Sequence, residues 1–443
     1  MKMQNKIFIT IGIILWSVIG TAQENLSKQE AVSIALDHNY DIKVTNNNVE
    51  AAKNSSSIYN SGYLPTLSAT GGGNYQDKDS ENEFQDGRII DQTTTSKTVN
   101  ASANLNYLLF DGMGRKYNYQ KLKELYNLSE IQATQVIENT VLQLLTSYYE
   151  LARLTQNQVN QKTSLSISKE RLLREKYKYQ YGQNTQLDML NSEVDVNNDS
   201  ITLLNINREL ANAKRNLNLI LGREIQKDFE VDTTVTYNIG LTRESIFNSA
   251  KERNTILQQA EKNIELSKFD LKINQSRWYP VIGVNGGYGW NNLHTESDVV
   301  NPFALAVNTS KGIQGGLSLS WNIFDGGATK TRVQNAKIAI DNSEIVKEQI
   351  EQELERNIAN AWETYQNALF VLQAEKKNME TNRRNFQRSS EQFKLGQIIS
   401  VEFRLAQVNY LNSVTNFNRA KYTAKIAELN LLQLSGNILG ANY

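Results

Sequence analysis

Few side chains in this sequence could carry out chemistry at a site. The chain has no cysteine and only two histidines, His38 and His294, which lie far apart. Disulfides and thiolate metal sites are therefore excluded, and a catalytic triad or a histidine metal site would depend on one isolated ring. We predict no catalytic residue, no metal and no cofactor, so the chain is not expected to be an enzyme.

Two local patterns resemble ligand sites, but each lacks a required feature. The glycines at 283, 286, 287 and 289 do not have the spacing of a dinucleotide-binding loop. Alternating acids from Asp77 to Glu83 resemble a calcium loop, but no glycine stands where a tight loop requires one. Lys plus Arg and Asp plus Glu both number 47, and no basic stripe indicates nucleic acid as a partner.

The beginning of the chain is typical of a secretory signal peptide. Lys2 and Lys6 precede an apolar stretch from 7 to 19, and a cleavage site is predicted after Ala22. The stretch is too short to span a bilayer comfortably, and the alternative interpretation is an uncleaved anchor. No later apolar run reaches the roughly 18 residues that a spanning helix needs, so a membrane-embedded form of this protein would have to be a β-barrel.

The chain is one structural unit written twice. Pro65 and Pro280 lie 215 residues apart, and Phe110-Asp111-Gly112 lies 214 residues before Phe324-Asp325-Gly326. Two independent helical domains would not share this register. We predict a signal peptide (1–22), a first repeat (23–222), an inter-repeat segment (223–241), a second repeat (242–436) and a short tail (437–443). The inter-repeat segment has a β-like stretch from Val231 to Tyr237.

Each repeat is predicted to contain a helix, two strands, a long helix, a turn and a further helix. No proline lies between 114 and 181, so this stretch could form one helix on the order of 100 Å long. Apolar residues three and four apart, such as Ile137, Val141 and Leu144, predict coiled-coil packing. The polar stretch from Gln156 to Ser168 indicates a face in water. The predicted helices are 27–61, 113–181, 184–221, 242–276, 327–395 and 398–435.

The segments before the long helices alternate apolar and polar residues, which is typical of β-strands. Val99–Phe110 shows this pattern, and Ile313–Ile323 repeats it. A soluble sandwich would alternate too, but lengths of about 10 residues and aromatic residues near the ends favour a membrane barrel. Irregular extracellular loops are predicted at 76–98 and 291–312. Four strands cannot close a barrel, because about eight are needed. Three copies would supply twelve.

The order and duplication of these motifs resemble the TolC-like outer-membrane efflux protein family over essentially the whole mature chain. The turns ending Tyr181-Gly182 and Leu395-Gly396 carry the resemblance together with the paired proline and Phe-Asp-Gly motifs. It implies a mixed α+β membrane protein, a homotrimer with four strands per chain in a shared 12-stranded barrel. Long coiled-coil helices would form a periplasmic α-barrel. It also implies outer-membrane lipid, a periplasmic adaptor and an inner-membrane pump as partners, in a Gram-negative bacterium.

The resemblance also assigns site residues. Asp188 and Glu402, each six residues beyond a tip glycine, would form a carboxylate ring at the periplasmic entrance. The alternative is that they are first-turn acids that favour a helix N-terminus. The second gate acid of the family is absent, because Asn191 and Leu405 stand there, and Ile398 replaces a basic residue. The tip residues expected to dock the adaptor are Tyr181, Gly182, Gln183, Leu395, Gly396 and Gln397.

Two functions remain open at this point. The first is a passive exit duct of a tripartite efflux or type I secretion system, with energy supplied by its partners. The second is a periplasmic or surface coiled-coil scaffold or adhesin without a pore. The scaffold would have no strands facing lipid and would need no detergent for solubility.

Overall fold

A computed structural model describes residues 24–238 and 240–441 of the chain. The predicted signal peptide, 1–22, lies outside the described residues, as do the last two positions of the predicted tail. The elements in chain order are β1 (Glu24–Leu26), α1 (Lys28–His38), α2 (Tyr40–Ser55), β2 (Thr66–Glu83), β3 (Ile89–Phe110), α3 (Gly114–Gln180), α4 (Gln186–Ile220), β4 (Phe229–Val231), α5 (Arg243–Arg253), α6 (Thr255–Ser276), β5 (Val281–Ser297), β6 (Val307–Ser320), α7 (Ala328–Lys394) and α8 (Ser400–Leu434).

The chain forms two compact units, and each takes segments from both repeats. Among the described residues, the first unit comprises those within 24–47, 131–258 and 349–441, and the second comprises Asn48–Glu130 and Gln259–Glu348. The long helices α3 and α7 have 67 residues each, and α4 and α8 have 35 each. The four predicted helices at these places are confirmed to within about two residues. Within the described residues, none of the helices combines the length and the apolar character that crossing a bilayer would require.

Each repeat opens with two helices where the sequence predicted one. The predictions 27–61 and 242–276 are wrong in this respect, because the helix breaks at Asn39 and again at Asn254. The Asn39 side chain accepts bonds from the backbone N–H groups of Asp41 and Ile42 at 2.9 and 3.2 Å. Its amide donates to the Ile220 carbonyl at 2.7 Å. Asn254 makes the equivalent set of bonds, and these compete with continuation of the helix.

Glycines that follow α4 and α8 fit against these two breaks. Gly222 has a φ of +64°, and a Cβ there would lie 2.2 Å from the His38 carbonyl oxygen. Gly436 has a φ of +69°, and its Cβ would lie 2.7 Å from the Arg253 carbonyl oxygen. Both positions therefore require glycine for the turn and for the close approach of two backbones.

The core of the first unit surrounds the parallel pair of β1 and β4. Tyr148 of α3 is fully buried there, and its hydroxyl donates to the Leu26 carbonyl at 2.7 Å and accepts from the Asp232 N–H at 2.9 Å. The β-like stretch predicted from 231 to 237 is wrong, because β4 ends at Val231. In the segment that follows β4, a side chain of α8 binds the backbone instead of a neighbouring strand: the Tyr422 hydroxyl donates to the Thr233 carbonyl at 3.1 Å.

The second unit contains an antiparallel sheet in the order β2-β3-β5-β6. The irregular loops predicted at 76–98 and 291–312 are wrong, because most of both segments continues the strands. Threonines at 94 and 95 have high strand propensity and pair with both neighbours of β3. The prediction of a strand reaching Ile323 is also wrong, since β6 ends at Ser320 and the Ile323 N–H bonds to the Trp321 carbonyl.

Candidate functional site

The two helix-tip turns of the first unit have the same backbone geometry. Gly182 follows α3 with a φ of +70°, and Gly396 follows α7 with a φ of +73°. In each turn the next residue donates its N–H to a carbonyl five positions earlier, from Gln183 to Lys178 and from Gln397 to Gln392. This is the bonding that ends helices at glycine. Tyr181 and Leu395, immediately before the glycines, are exposed.

The two predicted gate acids lie at equivalent positions in the first turns of α4 and α8. The Asp188 carboxylate accepts a hydrogen bond from the Thr185 hydroxyl at 2.7 Å, and the Asp188 backbone N–H donates to the same hydroxyl oxygen at 3.3 Å. Glu402 accepts the Ile399 N–H at 3.2 Å. Both carboxylates therefore stabilise helix N-termini, as the alternative interpretation expects. Glu402 is exposed and Asp188 is half-buried, so the capping bonds leave both charges at least partly accessible to solvent.

Aromatic rings join α7 to α8 near the second tip. Phe393 stacks on Phe403 with ring centroids 4.8 Å apart, and Phe386 continues the stack at 5.7 Å. Two cations of α3 lie over the Phe393 ring, Arg174 at 5.5 Å and Lys178 at 5.2 Å from its centroid. The tip of the second repeat is thus held against the long helix of the first.

A polar seam on α3 was missed by the sequence analysis. The stretch from Gln156 to Ser168 was predicted to face water, but the structure buries part of it. Residues three and four apart form the buried line, and hydrogen bonds replace apolar packing along it; its members are Asn157, Gln161, Ser164, Ser168, Arg171 and Glu175. The spacing of three and four residues was the signal in the sequence that could have predicted this burial. It continues, toward the end of α3, the same spacing that the apolar seam of Ile137, Val141 and Leu144 shows earlier in the helix.

The seam centres on a buried ion-pair cluster that joins α3, α4 and α8. Arg404 binds Asp199 in a bidentate pair, with its two terminal nitrogens 2.9 and 2.8 Å from the carboxylate oxygens. Ser168 donates to the same carboxylate at 2.6 Å. Arg171 pairs with Asp195, which also lies 3.4 Å from Arg404. Arg171 and Asp199 are buried and Arg404 and Asp195 are half-buried. Two cations and two anions therefore balance within one largely buried cluster.

The charges in this cluster fix each other's protonation states. Burial alone would raise the pKa of Asp199, but hydrogen bonds from Arg404 and Ser168, with the positive charges of Arg404 and Arg171, hold that pKa below its ordinary value. Burial would likewise lower the pKa of Arg404, yet its bonds to Asp199 raise it. Both groups are therefore charged at neutral pH. The cluster lies near the tip, since Arg404 is two residues after Glu402.

The paired strand motifs occupy equivalent places in the second unit. Pro65 and Pro280 immediately precede β2 and β5. Phe110 ends β3, whereas Phe324 lies four residues beyond β6. Each motif aspartate caps the long helix that follows it, since Asp111 accepts the Arg115 N–H and Asp325 the Thr329 N–H, both at 2.8 Å. The last residues of the two motifs, Gly112 and Gly326, both have positive φ, at +65° and +68°.

The sheet presents two chemically different faces. Paired residues share a face, and pairs such as Leu67 with Leu105 and Tyr107 with Val284 make one face apolar. The opposite face carries hydroxyls and amides, and there the Thr70 and Ser102 hydroxyls lie 2.8 Å apart. Within the described residues, no group of three or more His, Cys, Asp and Glu could hold a metal ion.

Comparison with known proteins identifies relatives of the same build. The outer membrane efflux protein family matches residues 31–223 and 246–437. The CmeC outer membrane channel of Campylobacter jejuni superimposes with a TM-score of 0.74 at 15% identity, covering 93% of this chain and 86% of that chain. The outer membrane protein VceC of Vibrio cholerae superimposes with a TM-score of 0.71 at 14% identity, covering 92% and 96%. No curated protein sequence matches this chain.

Proposed function

Because this chain belongs to the outer membrane efflux protein family, we propose that it is the exit duct of a tripartite efflux or type I secretion system. The α+β fold class and the family resemblance are thereby confirmed. In this proposal three copies share one 12-stranded barrel in the outer membrane, and their helices extend into the periplasm of a Gram-negative cell. A periplasmic adaptor and an inner-membrane pump supply cargo and energy, since the chain carries no nucleotide motif.

The open sheet is the observation that carries the proposal. Within the described residues, β2 and β6 each pair on one side only, so both edges of the four-stranded sheet are free. The apolar face, with Leu317 and Leu319 exposed, suits contact with lipid chains. Unpaired backbone groups in lipid cost several kcal/mol each, so β6 of one copy must pair with β2 of the next. The scaffold alternative leaves both the apolar face and the free edges unexplained.

An exposed apolar stripe on α4 supports association of the helices as well. Its members recur three, four or seven residues apart in a coiled-coil pattern, and all are exposed in the single chain; they are Leu187, Leu190, Val194, Ile201 and Leu204. A helix of a second copy would cover this stripe. The sheet edges and the helix stripe thus both support association between copies, which the proposed homotrimer requires.

The tip of the helical region is the proposed periplasmic entrance. Asp188 and Glu402 would contribute six carboxylates to one ring in the trimer, and capping bonds to the helix N-termini hold them in place. The exposed turns at Gly182 and Gly396 would dock the adaptor. The cluster around Arg404 ties α8 to the α3–α4 hairpin, so it would hold the two tips together when the entrance is closed.

Disulfide trapping between sheet edges tests the proposal, because the chain has no cysteine of its own. Ser68→Cys on β2 is combined in turn with cysteines at Gln314, Ser318 and Ser310 on the same face of β6. We expect at least one pair to give covalently linked trimers in membranes on oxidation. The matched control pairs Ser102→Cys, on the inner strand β3, with the same partners and should give none. Failure of every edge pair would reject the shared barrel.

A further inference from the structure

The polar face of the sheet is almost free of charge. On the four strands that the structure describes, this face carries one charged residue, Lys78 of β2, paired opposite Thr94. The remaining residues of the face are Asn, Gln, Ser, Thr and Gly, with a few aliphatic side chains. The other charged residues of the same strands lie on the opposite face, toward the strand ends that the β2–β3 and β5–β6 loops connect; they are Asp77, Asp79, Glu81, Glu83, Asp91, Lys97, Glu296 and Lys311.

The asparagines of the polar face lie over glycines of the neighbouring strands. A Cβ at Gly72 or at Gly287 would meet the side-chain oxygen of Asn100 or Asn104 at 2.9 Å. At Gly316 a Cβ would meet the side-chain oxygen of Asn285 at 3.2 Å. The same arrangement therefore occurs at three of these asparagines, on β3 and β5, and it holds each amide flat against the sheet. A larger neighbour would push the amide outward from the wall.

The amides also bind within the wall. The Asn104 amide donates to the Ser102 hydroxyl at 3.0 Å, and this hydroxyl lies 2.8 Å from that of Thr70. Hydrogen bonds to neighbours within the sheet reduce the capacity of these groups to bind a passing solute. Around Asn104 the wall is therefore uncharged, and its polar groups already have partners within the sheet.

We propose that this face is the charge-neutral wall of the pore, and that Gly72, Gly287 and Gly316 leave room for its asparagine amides to lie close to the sheet. The inference rests on the proposed function, in which the polar face lines the duct. It extends that function by assigning a cargo class: the barrel passes solutes of either charge and does not sort them by sign. Selection by charge then belongs to the carboxylates at the helix tips.

Thiol labelling measures the potential at this wall. Asn104→Cys is compared with Ala103→Cys, its neighbour on the apolar face, in trimers reconstituted into lipid vesicles. A cationic and an anionic methanethiosulfonate reagent of similar size are used, and each rate is divided by the rate with a free thiol. At Asn104→Cys we expect the two normalised rates to agree within about threefold. A tenfold ratio would require the electrostatic free energies of the two reagents at this wall to differ by about 1.4 kcal/mol, and the face has no nearby charge to produce that difference. Ala103→Cys should react with neither reagent.

A charged background shows that the method can detect a potential. Asn285→Asp, added to Asn104→Cys, should favour the cationic reagent about fivefold, because the new carboxylate lies diagonally across neighbouring strands at about 7–8 Å.

The outcomes separate the inference from the proposed function. A normalised ratio above about tenfold at Asn104→Cys in a conducting trimer would overturn the neutral wall and leave the duct standing. Reaction at Ala103→Cys but not at Asn104→Cys would mean that the apolar face, and not the polar face, is in contact with water, and would overturn the inference. A protein that forms no conducting trimer would overturn the proposed function itself.

Discussion

Replacing Arg404 by methionine should loosen the tip more than any exposed substitution on the same helices. The change removes both bonds to Asp199 and keeps a side chain of similar length. Asp199 is buried and would lose its main counter-charge, although Ser168 still donates to it at 2.6 Å and Arg171 remains nearby.

The expected cost follows from this arrangement. Breaking a buried ion pair by removing one partner costs about 3–5 kcal/mol, because the remaining charge stays buried without compensation. The bonds that Asp199 retains place the effect at the lower end, at about 3 kcal/mol. Arg404→Met with Asp199→Asn removes the orphaned charge as well, and should recover about 1–2 kcal/mol of that loss.

Hydrogen exchange of backbone amides in 161–171 and 195–199 measures the local opening free energy. The control is Arg419→Met at an exposed position of α8, the helix that carries Arg404, and it should change this free energy by less than about 0.5 kcal/mol. The pKa of Asp199 is lowered in the folded chain, so its contribution is complete above the ordinary aspartate pKa. That contribution is lost as pH falls through the lowered value. Equal effects of Arg404→Met and Arg419→Met, or a double variant less stable than the single one, would contradict this prediction.

Three further predictions concern other parts of the chain. Asp188→Asn with Glu402→Gln should alter cation block and ion selectivity in single-channel recordings, and unchanged selectivity would remove the gate assignment. Gly222→Ala should lower the unfolding free energy by about 2–4 kcal/mol, because it adds backbone strain and a clash with the neighbouring backbone. Gly182→Ala, which has open space around it, should lower that free energy by only about 1–2 kcal/mol. Equal denaturation midpoints of the two variants would contradict this prediction. Burial lowers the pKa of Lys421 to about 8. Between about pH 8 and about pH 10.4, the ordinary lysine pKa, the unfolded chain therefore binds more protons than the folded chain. The stability of the wild type should rise with pH in this window more steeply than the stability of Lys421→Met. Thermal melts at a series of pH values measure the difference.

The long helices and the tip turns could be predicted because their signals are local. Absence of proline permits 67 residues of continuous helix, and Gly182 and Gly396 stop it by their backbone conformation alone. The apolar alternation in the strands is local too. Each of these features depends on residues that are close together in the chain, so the sequence could show them directly.

The features that were missed depend on distant parts of the chain. Asn39 breaks its helix partly because Ile220, far along the sequence, offers a carbonyl to its amide. The serines and glutamines of α3 indicate a face in water when only their neighbours in the chain are considered. In the structure, Arg404 and Gln407 of α8 donate hydrogen bonds to Ser168 and Ser164. Strand pairing likewise extended β3 and β5 through segments whose polar composition indicated loops. Tertiary partners therefore decided what local propensity could not.

The most direct test of the central claim is the mass and conductance of the native protein extracted from outer membranes in mild detergent. We expect a complex with three times the mass of the mature chain, which forms ion-conducting pores when it is inserted into planar bilayers. A monomer or dimer that is soluble without detergent and conducts nothing would contradict it and would favour a coiled-coil scaffold.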